Sequence, residues 1–302
     1  MNQKNNLNGF LVVDKPYDMG STKVVSILKH FLHPTKIGHA GTLDPLATGV
    51  LPIAFGKATR LIPYVMQGKK TYQFTIKWGV ETDSDDLAGK EIVTSDKIPT
   101  EEEIRSVLPR FLGEIMQTPS VFSAIRVNGK RAYDLARGGQ KVELKARPIT
   151  IYDLKVLKTE PDSTTFEVQC SKGTYVRTLA HDMAHALNTV GVVTMLHRTC
   201  CASFDLTQAV SLDEIKSQKI TAENLPLISM ETVVQNVPSL EFSELEIKRL
   251  SQGQRLSWTK LERQQPDCVD SIYCARMQNV VCGLIKKEAG VVSPKFIWYE
   301  KK

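Results

Sequence analysis

The stretch Gly38-His-Ala-Gly-Thr-Leu-Asp-Pro-Leu-Ala-Thr-Gly-Val-Leu-Pro52 decides how the rest of the chain is read. Glycines at 38, 41 and 49 and prolines at 45 and 52 mark it as loop-rich. Asp44 stands between Leu43 and Pro45, among small and apolar residues. Pro45 fixes its own φ and biases Asp44 toward an extended backbone. The glycines let a second backbone or a flat ligand come close. A carboxylate in such surroundings is costly unless a cation answers it. Two readings stand at this point: an Asp-Pro turn without chemistry, or an anion held for chemistry.

Working outward, GFLVVD (9–14) reads as a buried strand ended by Lys15-Pro16, because proline cannot donate to a ladder. Ser21 or Thr22 is expected to cap a helix through Val24, Val25, Ile27, Leu28 and Phe31, which His33-Pro34 stops. Residues 50–54 form a short apolar run. From Lys70 to Trp78 the chain alternates, with Tyr72, Phe74, Ile76 and Trp78 on one side, which predicts a half-buried strand. The acidic region 81–103 predicts a turn followed by an amphipathic helix to Leu112. Strands are expected over 147–156 and 165–170, and a turn then a helix over 173–187. Residues 211–235 read as helical or linking. Beyond Leu240 the texture becomes short β-like runs (SIYCARM, VVCGLIKK, VVSPKFIWYE). Strands and helices lack a regular βαβ rhythm, so an α+β fold with a mixed, mainly antiparallel sheet is expected. The division drawn from these patterns is a main domain over 1–238 and a small β-barrel-like domain over 239–302.

Composition bounds the function. The chain has 302 residues, 42% hydrophobic and 24% charged, which is ordinary for a globular protein and excludes a disordered chain. No apolar run of about 18 residues suggests a spanning helix, and MNQKNNLNG lacks the apolar core of a secretory signal, so a cytoplasmic protein is expected. Six cysteines without a CxxC pair read as free thiols in a reducing compartment and argue against structural zinc. The net charge is only +6, but its distribution is uneven. Between Ala124 and Thr150 there are seven basic residues (Arg126, Lys130, Arg131, Arg137, Lys141, Lys145, Arg147) against Asp134 and Glu143. That concentration points to a polyanion contact.

Several motif matches fail. Gly49 to Lys57 resembles a phosphate loop, but Gly56 is misplaced and Ala58 stands where Ser or Thr would hold magnesium. Asp83-Ser84-Asp85-Asp86 lacks the glycine and the bidentate glutamate of a calcium loop. His181 and His185 lie one helical turn apart, with His197 a conceivable third zinc ligand. Asp182, however, stands where a metalloprotease needs glutamate, and two histidines on a solvated helix face is the reading preferred.

Five segments in order carry a more specific signal: GFLVVDKP (9–16), the 38–52 stretch, KKTYQFTIKWGVETDSDDLAG (69–89), PSVFSAIRVNGKRAYDLAR (119–137) and CSKGTYVRTLAHDM (170–183). Together they resemble the TruB family, the tRNA pseudouridine-55 synthases, strongly over 9–200 and weakly beyond. The resemblance implies a pseudouridine synthase fold with a basic RNA-gripping thumb at about 119–148 and a C-terminal PUA domain. It implies Asp44 as catalytic aspartate, Tyr72 as the base-stacking, proton-moving tyrosine and Arg177 as the partner of Asp44. Tyr175 and Leu196 would line the uridine pocket, His39 would fill the gap left by the extruded base, and Lys15 and Pro16 would support the floor. Arg126, Lys130, Arg131, Arg137, Lys141 and Arg147 would hold the backbone of the tRNA T-arm, and the PUA domain the acceptor stem. The resemblance further implies a monomer that uses neither metal nor cofactor and that also assists tRNA folding. Asp18 departs from the family pattern, which has glycine two residues after Lys-Pro, as does Met19-Gly20-Ser21-Thr22, where a serine-rich turn is usual.

The chemistry fits these residue types. Making pseudouridine breaks an N–C glycosidic bond and forms a C–C one, with no net redox change. It needs a positioned anion as nucleophile or base. Arginine suits that anion because it keeps its charge when desolvated and binds carboxylate in bidentate fashion. Tyrosine offers a flat face and a hydroxyl. An aspartate-dependent glycosidase or nucleosidase, the enzymatic rival, wants two carboxylates in one site, and the motif region offers only Asp44 as a strong candidate. A purely RNA-binding chaperone is the rival outside enzymology.

Overall fold

The structure, a computed structural model, describes residues 4–123, 125–127, 129–138, 140, 142–258 and 271–299. The chain begins with β1 (Gly9–Lys15), α1 (Ser21–Leu32), β2 (Ile37–His39) and β3 (Thr48–Phe55), so the 38–52 stretch joins two strands. Helix α2 (Ile62–Gln67) leads into β4 (Lys70–Trp78), followed by the short pair β5 (Val80–Thr82) and β6 (Glu91–Thr94). Helix α3 (Glu101–Val107) precedes β7 (Gly113–Gln117). The basic segment folds as β8 (Arg126–Val127), β9 (Lys130–Arg131) and α4 (Ala132–Arg137). Then come β10 (Arg147–Glu160), β11 (Ser163–Cys170), α5 (Val176–Ala186), β12 (Gly191–Cys201), β13 (Phe204–Asp205), β14 (Ala209–Ser211) and α6 (Leu212–Lys216).

Ten of these strands form one sheet in the order β14-β1-β3-β12-β4-β11-β10-β7, with β13 on β12 and β2 on β3. The β1–β14 and β3–β12 pairs are parallel and the others antiparallel. The fold is therefore α+β with the mixed sheet that the strand pattern predicts. Alternation on β4 has its expected outcome: Phe74, Ile76 and Trp78 are buried. Phe74 stacks on Phe166 of β11 at 5.2 Å between ring centroids, in one core with Leu179 and Met183 of α5. A second core joins Val24, Leu28 and Leu32 of α1 to Leu11, Val13, Leu51 and Ile53. Tyr72 and Leu196 touch both cores, which places them at the seam between them.

After α7 (Met230–Val234) the chain adds β15 (Ser239–Glu241), α8 (Glu244–Ser251), β16 (Leu256–Ser257), β17 (Ser271–Met277), β18 (Val280–Glu288) and β19 (Val291–Ile297). These strands make a separate sheet in the order β15-β17-β18-β19-β16. Its Leu284 and Phe296 share a buried cluster with Phe10, Leu61 and Val65, and the Arg60 guanidinium lies 4.3 Å from the Phe296 ring centre. The second sheet is thus seated on the main body by apolar contact.

Two local expectations fail for physical reasons. Helix α1 has no side-chain cap: its N-cap is Gly20, because the Ser21 hydroxyl is turned inward onto Leu43. The acidic region is strand, turn and strand before a single short helix, since Thr100 and Glu103 form a reciprocal capping box that starts α3 only there.

Candidate active site

The loop bearing Asp44 is tied down from three sides. Ser21 Oγ accepts from Leu43 N–H at 2.9 Å and donates to the Leu43 carbonyl at 2.9 Å. Lys15, fully buried, donates from Nζ to the carbonyls of Pro16, Met19 and Pro45. Burial pushes the Lys15 ammonium down to about 8, with the nearby Asp44 pulling the other way. The Met19 amide donates to the Pro45 carbonyl at 3.2 Å. The turn between Lys15 and α1 passes through Asp18 at φ 54°, a left-handed conformation that glycine adopts freely and aspartate tolerates. Aspartate at residue 18 thus occupies a conformation that glycine adopts freely. At the far end of the loop Gly49 has φ +97°, and a Cβ there would lie 2.3 Å from the Arg198 carbonyl oxygen. Glycine at 49 is what lets β3 run against β12.

Arg177, the second residue of α5, meets this loop from the opposite core. Its Nη2 lies 2.9 Å from Asp44 Oδ2, and its Nη1 lies 3.1 Å from Asp86 Oδ2. Nη1 also donates to the Ser84 carbonyl at 2.9 Å and Nη2 to the Phe122 carbonyl at 3.0 Å. The Arg177 side chain is 5% exposed and Asp44 39%. One guanidinium therefore joins the Asp44 loop, the acidic turn and the root of the basic segment. Asp86 is itself held by Ser84 Oγ at 2.7 Å and by the Ala88 amide at 3.0 Å, both donating to Oδ1. The turn that fails as a calcium loop is the seat of the arginine.

Asp44 and Arg177 open onto a pocket of about 500 Å³. Tyr72, Tyr175 and Leu196 line it, together with Gly41, Lys70, Arg147 and Arg198. That volume is in the range of small-ligand sites. Burial pushes the Tyr72 hydroxyl up to about 12, opposed by the neighbouring Arg198. Arg198 sits on β12 in register with Tyr72 of β4. It is fully buried, donating Nε to the Val50 carbonyl at 2.7 Å and Nη2 to the Gly41 carbonyl at 3.1 Å. Tyr175 is fixed through its backbone: Gln117 Nε2 donates to its carbonyl at 3.0 Å, and its amide donates to Gln117 Oε1 at 2.8 Å.

Asp44, Tyr72, Arg177, Tyr175 and Leu196 therefore come together around one pocket. Lys15 and Pro16 do not line it; Lys15 acts behind the Asp44 loop. His39 lies at the end of β2, beside rather than in the pocket, with its Nδ1 buried and without a hydrogen-bond partner. Burial, and the Arg198 charge after it, lower its pKa. Arg147, grouped by sequence with the thumb cations, sits at the pocket rim, donating Nη2 to the Gly173 carbonyl at 2.8 Å with its guanidinium 5.3 Å from the Tyr175 ring centre. Arg126, Lys130, Arg131 and Arg137 are described in backbone only, and Lys141 lies outside the described residues. Sequence reasoning misses Asp86, Gln117 and Arg198. Asp86 falls within the quoted 69–89 segment, but the residues alone suggest it only as a failed calcium ligand.

The architecture has counterparts among solved structures. A chain in the structure titled "Crystal Structure of a Cbf5-Nop10-Gar1 Complex" is similar over 96% of this chain and 84% of its own, with TM-score 0.72 and 23% identity. A chain in an H/ACA RNP bound to a substrate RNA containing 2'-deoxyuridine matches over 97% and 85%, with TM-score 0.71 and 22% identity. The fold is that of the pseudouridine synthases. Residues 29–176 match the model for the N-terminal domain of TruB family pseudouridylate synthase, and 177–237 that for the tRNA pseudouridylate synthase B C-terminal domain. The chain is 45% identical to tRNA pseudouridine synthase B of Rhodospirillum rubrum over 262 residues, covering 86% of this chain and 85% of that protein. It is 41% identical to the protein of the same name from a Chelativorans species over 304 residues, covering 97% and 96%. It belongs to the TruB family.

Proposed function

We propose that this protein isomerises uridine-55 in the T-loop of tRNA to pseudouridine. The observation that carries the proposal is the Asp44–Arg177 ion pair at the mouth of a nucleotide-sized pocket lined by Tyr72. The N1–C1′ bond of the nucleotide breaks, a C5–C1′ bond forms, and the proton leaving C5 is matched by one gained at N1. Atoms and electrons balance within the nucleotide. Asp44 is the anion that engages the flipped nucleotide, and Arg177 holds it in place. Tyr72 is a neutral phenol at working pH, so it takes a proton only as it hands its own onward, and acts as a relay while its ring stacks on the base. Flipping costs a few kcal/mol, which contacts in the pocket and on the RNA backbone offset. Tyr175 and Leu196 enclose the base, His39 replaces it in the loop, and Lys15 with Pro16 keeps the Asp44 loop in place.

The basic segment from Arg126 to Arg147 grips T-arm phosphates, and the C-terminal sheet contacts the acceptor stem. The link from Arg177 to the Phe122 carbonyl ties that grip to the active carboxylate. No helix among the described residues is long and apolar enough to cross a membrane. The test is position-resolved mapping of pseudouridine in an unmodified tRNA transcript incubated with the protein. Conversion of the T-loop uridine is expected; an unchanged T-loop, or conversion only elsewhere, would overturn the proposal.

A further inference from the structure

We propose that Glu81, His181 and His185 form a binding site for a divalent transition metal of the zinc type, clamping α5 to the acidic turn. The site lies outside the pocket and stands independently of the reaction proposed above.

Helix α5 carries Arg177, His181 and His185 at intervals of four, so all three lie along one stripe. The two imidazole centroids are 4.2 Å apart. Between them reaches the carboxylate of Glu81 from β5, its side chain only 12% exposed. Glu81 Oε2 is 2.9 Å from His185 Nε2, and Oε1 is 3.7 Å from His181 Nε2. One ligand atom from each residue lies within 4.8 Å of the other two. A tetrahedral zinc ion with bonds of about 2.0–2.2 Å sets its ligand atoms roughly 3.3–3.5 Å apart. The two carboxylate–imidazole separations are to different oxygens of the carboxylate, and a set of ligand atoms within 4.8 Å closes to the zinc spacing by rotation of the side chains.

The surroundings also suit a metal. His181 Nδ1 lies 3.4 Å from Asp182 Oδ1. A proton on Nδ1, shared with that carboxylate, leaves the Nε2 lone pair toward Glu81, an arrangement that recurs around ligating histidines. Imidazole and carboxylate donors without thiolate fit zinc and its neighbours in the first transition row rather than calcium. His185 is half exposed, which gives an ion a way in and leaves a fourth position for water. His197, the third ligand that sequence spacing suggests, is instead engaged with Thr48, its Nδ1 2.7 Å from Oγ1.

The consequence is positional. Glu81 precedes by three residues Ser84, whose carbonyl accepts from Arg177, and by five residues Asp86, which pairs with it. An ion on Glu81 and α5 therefore cross-links the same two elements that seat Arg177.

The full-length protein, stripped with a chelator, is titrated with Zn²⁺ in competition with a chromophoric chelator and with Co²⁺ by visible absorption. We expect one equivalent per chain and a tetrahedral Co²⁺ spectrum without a thiolate charge-transfer band. In His185→Ala, at an exposed position outside the buried cores, affinity falls by more than roughly tenfold, and so it does in His181→Ala. Zn²⁺ raises the Tm of the parent protein and leaves that of His185→Ala unmoved. Absence of stoichiometric binding, binding equally tight in His185→Ala, or a thiolate band would each overturn the assignment. None of these readouts involves RNA, so their failure is distinct from failure of the proposed reaction.

Discussion

Replacing Arg177 with methionine should separate the two jobs of this arginine. Methionine keeps a long side chain in the slot but removes contacts to Asp44, Asp86 and the Ser84 and Phe122 carbonyls. Asp86, 13% exposed, is left with its charge and, among the described residues, with Ser84 Oγ and the Ala88 amide donating to it. Breaking one side of a buried ion pair costs about 3–5 kcal/mol. Asp44 at 39% exposure is screened by water and adds little. Against a typical total of about 5–15 kcal/mol, the loss in Arg177→Met is large, and urea unfolding at pH 7 reads it directly. The double variant Arg177→Met/Asp86→Asn removes the stranded charge, while the amide oxygen that takes the place of Oδ1 still accepts from Ser84 and Ala88. It should regain about half of the lost stability. Tritium release from C5-labelled tRNA should remain absent in both, because Asp44 has lost its cation in both. A single variant within about 1 kcal/mol of the parent would show that Asp86 is not stranded, and release restored in the double variant would show that Asp44 acts without its cation.

Three other positions test the supports around the pocket. The Lys15 pKa is lowered from 10.5 to about 8, so between these values the unfolded chain binds the extra proton and stability rises with pH through this group. Lys15→Met should flatten that rise in urea midpoints taken from pH 7 to 10, while slowing tritium release by loosening Pro45; an unchanged pH profile would contradict it. Gly49→Ala places a Cβ 2.3 Å from a backbone oxygen at φ +97°, and should cost about 3 kcal/mol or more in urea unfolding, against no change if the two strands can part freely. Gln117→Leu removes two hydrogen bonds from the Tyr175 backbone, and should raise the KM for tRNA about tenfold, measured by initial rates; an unaltered KM would show that Tyr175 is positioned by other contacts.

What can be read from residues alone divides along physical lines. Alternation along β4 and the apolar run of β3 announce buried strands because side-chain period and burial coincide there. Asp44, Tyr72 and Arg177 are legible because each sits in an ordered local motif. Arg198 and Gln117 are not, because their partners are backbone carbonyls and amides on other segments, which carry no side-chain signature. Asp86 is hidden by a different effect: four polar residues in a row look like a solvated turn until Arg177 arrives from α5. The Ser21 cap fails because its hydroxyl finds a tertiary partner in Leu43. Glu81 escapes notice beside His181 and His185 since it lies about a hundred residues upstream of them. In each case local pattern loses to a contact that only chain folding creates.

The role proposed for Asp44 is that its carboxylate engages the nucleotide. Asp44→Asn preserves shape and leaves the pocket walls in place, and tritium release from C5-labelled tRNA at saturating protein measures the consequence. No release above background is expected from a variant that still binds tRNA; release at the parent rate would show that the carboxylate is dispensable.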